Sequence, residues 1–176
     1  FENVGDTRYR VTQPMNTDES KLRGVEFAVA NRNLQWGRQR FDMYFNATRL
    51  EGQTDYRISD GTARRLDRLL YQPDWSLNGS VIWRMPWRSA QLRLSGTYRS
   101  RMLVDFGDTE WLDSYYDPYM TFNMAFSHKV GRHVTLKYEA KNLFNTQPTY
   151  STGPNGRFRT EIDDYGRFFY FHIIYN

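Results

Sequence analysis

From Val25 to the end of the chain, apolar and polar residues alternate one for one in segments of about ten residues. That is the period of a strand with one apolar face. Val25, Phe27 and Val29 alternate with Glu26, Ala28 and Ala30, the continuation of an extended segment that starts near Arg8 and runs through Val11 and Leu22. Phe41, Met43, Phe45 and Ala47 alternate with Asp42, Tyr44, Asn46 and Thr48. The pattern returns at Trp75–Arg84, Leu92–Arg99, Met120–Ser127 and Val134–Lys141. It ends in Phe168–Asn176, where Phe169, Phe171, Ile173 and Tyr175 share one face. Helical periodicity is almost absent. The reading is seven full strands, with Phe1–Val4 as the stub of an earlier one and Gly5-Asp6 as its turn.

The connections fall into two classes. Those near 33–37, 85–90 and 130–133 are short; those near 51–73, 106–117 and 145–163 are long. Strict alternation of the two places every long loop at one end of the sheet. A soluble meander has no reason to do so, whereas an outer-membrane barrel has short periplasmic turns and long extracellular loops. Trp36 and Trp87 in short turns, Trp83 close to one, and Tyr71, Trp75 and Tyr119 near long loops predict two aromatic belts. Asp42, Asn46, Arg84, Arg93, Arg99, Lys137, Glu139 and Lys141 would face the interior, which suits a wet or plugged lumen. The fold expected is therefore all-β, an antiparallel up-and-down transmembrane barrel segment.

Composition narrows the options. The 176 residues suffice for one ordinary domain and begin at Phe1 without an initiator Met, as in a piece or processed part of a longer protein. Aromatic residues make up 17%, suited to strands and belts. Mean hydropathy is -0.79 and no run of 18 apolar residues exists, which excludes a helical membrane protein but not a barrel. There is no Cys, hence no disulfide framework and no thiolate metal site. The net charge of +4 raises nucleic acid as a partner, but no basic helix, RNP-like motif or zinc spacing supports it. Arginine lining a lumen or meeting anionic headgroups and lipopolysaccharide accounts for the charge.

No G-x-S-x-G, P-loop or nucleophile arrangement is present, so no catalysis is expected. His128, His133 and His172 lack ligand spacing. The acidic groups Asp108-Thr109-Glu110, Asp113 and Asp163-Asp164 read as solvated loop charge before calcium ligands. No cofactor or metal is expected. Asn46-Ala47-Thr48 and Asn78-Gly79-Ser80 lie inside strands, where a glycosylation match is chance. Substrate contacts, if the long loops make any, are expected from Trp111, Tyr115 and Tyr116 by stacking, and from Arg64, Arg65, Arg157 and Arg159 by pairing with anionic groups.

Three stretches carry a family resemblance. Leu22-Arg23-Gly24-Val25-Glu26-Phe27 is similar to an "RGVE" strand start. Glu139-Ala140-Lys141-Asn142-Leu143-Phe144-Asn145 is similar to an "NLFN" stretch before the last loop. Tyr165-Gly166-Arg167-Phe168-Phe169-Tyr170-Phe171 is similar to a terminal strand. In order and spacing they resemble the C-terminal barrel portion of TonB-dependent outer-membrane receptors, over nearly the whole chain. The resemblance implies a barrel of about 22 strands around a plug, of which residues 1–176 are the C-terminal part, with the plug and earlier strands elsewhere. It implies active uptake of a scarce nutrient, energised by the TonB complex acting through the plug. It also implies that Phe169, Phe171, Ile173 and Tyr175 are the outward face of the closing strand and an assembly signal. The family's final strand ends on an in-phase aromatic residue, so a Phe or Trp is expected beyond Asn176. Two other readings are weighed: a small self-contained outer-membrane barrel with a structural or adhesive role, and a soluble ligand-binding barrel.

Overall fold

Alternation at this period favours extended segments with one apolar face, and the computed structural model is built almost wholly of strands. It describes residues 2–4, 7–9, 19–58, 61–87 and 89–175. The expected Gly5-Asp6 turn, the extended reading over 10–18 and the end at Asn176 lie outside these residues.

Strands β1 (Glu2–Val4) and β2 (Thr7–Tyr9) pair with each other, Val4 opposite Thr7. Then comes a long hairpin, β3 (Ser20–Trp36) and β4 (Gln39–Arg57), with β5 (Ala63–Leu66) folded back along the far end of β4. β6 (Trp75–Arg84) and β7 (Gln91–Arg99) follow, then the short β8 (Met102–Asp105) and β9 (Ser114–Tyr116) around a 3-10 turn at Glu110–Leu112. β10 (Tyr119–Val130) and β11 (Val134–Lys141) form the next hairpin. β12 (Thr149–Thr152), a 3-10 turn at Pro154–Gly156 and β13 (Phe158–Ile162) precede the terminal β14 (Phe168–Tyr175).

Seven strands make one antiparallel wall in the order β14-β11-β10-β7-β6-β4-β3. Its register carries the sequence alternation unbroken from strand to strand. One row crosses all seven: Leu34, Phe41, Trp83, Leu92, Phe126, Tyr138 and Phe171. The neighbouring row on the opposite face is Gln35, Arg40, Arg84, Gln91, Ser127, Lys137 and His172. A slip of one residue in any strand would put its apolar set among the polar ones, so register is strongly specified. The apolar face stays open: Phe169, Phe171, Ile173 and Tyr175 keep 55–78% of their surface exposed. On the polar face the charges pair. Asp42 meets Arg84, Lys137 lies 2.6 Å from Glu139, and His172 Nε2 lies 3.2 Å from the same carboxylate. His128 breaks the pattern, packing on the apolar face beside Phe126 and Tyr138.

Several boundaries differ from the sequence reading. The turn expected near 33–37 is confined to Gly37 and Arg38: β3 continues to Trp36 through a bulge between Asn31 and Leu34, with Asn33 at φ 64 and its N–H donating to Asp42 Oδ1 at 2.9 Å. The bulge here uses a left-handed position, which Asn tolerates better than most residues. β4 runs on to Arg57, beyond the apolar band, because β5 supplies it with a partner. Tyr71 and Tyr119 are not belt residues. Tyr119 stands opposite Arg99 on the polar face, and Tyr71 lies among the loops beside Tyr116 and Tyr150.

The "NLFN" stretch has a local physical cause. Asn142 and Asn145 both sit at φ 54, ending β11 in a tight turn. The Asn142 side chain donates to the carbonyls of Thr146 and Gly166, each at 3.0 Å, and accepts from the Thr146 N–H at 2.9 Å. It thereby ties the end of β11 to the approach of β14. Phe144 folds edge-on over Phe122 at 5.3 Å.

Candidate functional site

The three long connections gather at one end of the wall and fold against one another. The second and third form their own antiparallel sheet, in the order β13-β12-β9-β8. Short strands with alternating side chains give this small sheet two faces. Leu103, Tyr115, Ser151 and Arg159 are in register on one; Met102, Tyr116, Tyr150 and Glu161 are in register on the other.

The first face is a small core. Leu103 and Tyr115 pack with Leu66 of the first connection, flanked by Tyr56, Leu70 and Phe106. The first and second connections are joined by charge as well. Arg64 Nη1 and Nη2 donate to Asp113 Oδ1 and Oδ2 at 2.6 and 2.7 Å, a bidentate pair, and Nη1 also reaches the Gly107 carbonyl at 2.9 Å. Asp113 is only 3% exposed. Hydrogen bonding to Asp113 raises the Arg64 pKa, so the guanidinium is held charged. Burial, followed by the charge on Asp113, raises the Tyr115 phenol. The third connection is attached through Asp117, which lies 2.9 Å from Arg101 and accepts from Ser151 Oγ at 2.8 Å. Thr152 Oγ1 donates to the Asp113 carbonyl at 2.9 Å. The three connections therefore make one packed unit.

The second face lines a cleft of about 500 Å³ bounded by Tyr71, Met102, Val104, Asp105, Tyr116 and Tyr150. Tyr116 and Tyr150 meet edge to face at 4.7 Å. The Arg99 guanidinium lies 3.5 Å over the Tyr116 ring and 5.7 Å from that of Tyr119. Arg99 and Tyr119 are opposed on the polar face of the wall, so the cleft continues that face upward. Burial also raises the Tyr150 phenol, helped by Tyr116, Asp163 and Glu161.

The structure scatters the contact residues expected from sequence. Tyr116 is in the cleft. Tyr115, its neighbour, points the other way into the small core, as a strand requires. Arg64 is bound to Asp113 and offers no free cation, while Arg65 donates to Gln53 at 2.7 Å beside β4. Trp111 lies 6.2 Å from Phe158, and Arg157 stacks on that same ring at 5.6 Å. Arg159 is exposed on β13 in register with Ser151. Asp113, one of the acidic loop residues weighed for calcium, is committed to Arg64. Among the described residues no group of three His, Asp or Glu side chains is placed to hold a metal ion. Met102 and Tyr150 were not singled out from sequence, and Tyr71 and Arg99 were read only as a belt residue and an interior residue, because no local pattern marks residues that meet only through pairing between two loops. Phe169, Phe171, Ile173 and Tyr175 lie together on the apolar face of β14, opposite Ala140, Tyr138, Leu136 and Val134.

A family model described as "TonB dependent receptor-like, beta-barrel" matches residues 1–143. No curated protein and no solved structure matches the chain.

Proposed function

We propose that this chain, which belongs to the family of TonB-dependent receptor-like β-barrels, is the C-terminal section of an outer-membrane receptor that takes up a scarce nutrient. The single observation that carries this reading is the pair of rows crossing the wall. An apolar row and a polar row, adjacent and unbroken over seven strands, separate a lipid face from a wet one. The wall supplies part of the barrel, the three packed connections supply its extracellular loops, and the cleft on the polar side receives the ligand. A plug and the energy-coupling complex acting on it complete the machine, and lipid and lipopolysaccharide surround it.

The wall's two edges support a larger barrel. Among the described residues β14 pairs only with β11, and β3 pairs only with β4. Unpaired N–H and C=O groups cannot face hydrocarbon, so both edges need partner strands, which this proposal assigns to the rest of the receptor. The test is disulfide trapping in outer-membrane fractions of the intact receptor, with a cysteine at Ile173 and, in separate variants, a second one at Thr7 or at Val29, since a self-contained barrel of about eight strands would close on the N-terminal segment. We expect no cross-link between these positions, because the remaining strands separate them. A rapid cross-link, which requires Cα atoms within about 7 Å, would establish the small self-contained barrel instead.

A further inference from the structure

We infer that the tyrosine cleft is the docking site for an uncharged, hydroxyl-rich ring ligand, a neutral glycan, and not for an anionic metal chelate. The inference rests on the transport reading above and names the ligand class of its vestibule. The cleft, about 500 Å³, falls within the size range of small-ligand sites, about 300–1,000 Å³. Its walls are phenol rings set at an angle to each other, Tyr116 against Tyr150 at 69°. A sugar ring presents a C–H face that packs on the negative face of an aromatic ring, with hydroxyls around its rim. Phenol hydroxyls both donate and accept, so those of Tyr71, Tyr116 and Tyr150 can serve a ligand's hydroxyls in either role.

Charge decides against the anion. Asp105 lines the cleft, and Glu161 stands opposite Tyr150 in register. The cation at hand, Arg99, is spent on the Tyr116 ring and on a contact with Met102 Sδ at 3.2 Å. A ferric chelate carrying carboxylates or catecholates would meet carboxylates. The same guanidinium occupies the cation position over Tyr116, which disfavours an organic cation there. Carboxylates and phenols facing open space suit hydroxyl donors.

Tyr71 adds an independent sign. Its backbone is left-handed, φ 57, where a bulky side chain is an outlier. A main-chain bond from Tyr71 N–H to the Leu103 carbonyl, 2.7 Å, holds it there. Tyr71, whose side chain lines the cleft, is 69% exposed. Backbone strain of this kind is found at ligand clamps among other functional sites, and here it sets an exposed aromatic side chain on the cleft.

The experiment is calorimetric titration of the intact, detergent-purified receptor with maltose-, cellulose-, xylan- and mannan-derived oligosaccharides, and with ferric citrate and a ferric tris-catecholate. Tyr71→Ala and Tyr150→Ala variants are titrated alongside. Heat-modifiable electrophoretic mobility establishes that each variant is folded; Tyr71 is exposed enough for its truncation to leave the fold intact. We expect at least one neutral oligosaccharide to bind, with each substitution weakening it about tenfold, the share of an anchoring aromatic. The inference is overturned if no neutral oligosaccharide binds, if binding ignores both substitutions, or if it is a ferric complex whose binding they abolish. In that last case the transport reading stands and only the ligand class is wrong. A receptor that does not fractionate with outer membranes would instead sink the transport reading itself.

Discussion

Replacing Arg64 by Met should loosen the loop unit while leaving the wall intact. The change removes both N–H donors from Asp113, which is 3% exposed. What remains to that carboxylate is the Gly107 N–H at 3.3 Å and the Tyr115 hydroxyl at 3.4 Å, both long. Breaking a buried pair by removing one partner costs roughly 3–5 kcal/mol, most of it the uncompensated charge. The two remaining donors and the 16% exposure of Arg64 place the cost near the lower end, about 3 kcal/mol. Since about 1.4 kcal/mol is tenfold, local opening should become on the order of 100-fold more frequent. Hydrogen exchange of the detergent-solubilised receptor reads this directly. Amides of β8 and β9 should exchange faster by that factor, and those of β7 and β10 should not change. Replacing both partners, Arg64→Met with Asp113→Leu, should recover most of the loss, because an apolar pair leaves no buried charge. Exchange in β8 and β9 within about threefold of the parent, or a double variant as loose as the single one, would refute the argument.

Further outcomes follow from other parts of the chain. Phe171→Arg places a charge on the apolar face beside Tyr138 and should cost about 2–4 kcal/mol at mid-membrane depth; Tyr170→Gln on the polar face should be tolerated, both read as folded receptor in outer-membrane fractions. Gly156→Val should destabilise the third connection by about 1–3 kcal/mol, since Gly156 sits at φ 65 and a Cβ there would lie 2.4 Å from Ser151 Oγ; limited proteolysis within 149–162 reports it. The loop unit should also weaken in alkali. Tyr115 titrates higher folded than unfolded, so its contribution is complete below the free phenol's pKa of about 10 and is lost as pH rises above it. Exchange of β9 amides measured across that window should accelerate, and Tyr115→Phe should remove its share of the dependence.

What the sequence determined alone is the wall. One-for-one alternation sets each strand and its apolar face, and glycine- and asparagine-bearing turns of unequal length order the hairpins; both are written in neighbouring residues. That is why seven strands, their apolar set from Phe27 to Tyr175 and the sorting of short from long connections were legible. The ends of strands were not. β4 outlasts its apolar band because β5 pairs with it, a contact set by Thr54 meeting Leu66 rather than by any neighbour. The loops were legible only as polar. Their sheet joins segments from two connections, so whether Tyr115 or Tyr116 faces the cleft depends on a register between β9 and β12, some 34 residues apart in Asp117–Ser151. Composition suggested that the loop arginines were free to bind anions. Tertiary structure decided otherwise for Arg64, because a buried carboxylate is stable only with its cation beside it, and it brought Tyr71, Tyr116 and Tyr150 to one cleft that no single stretch of chain encodes.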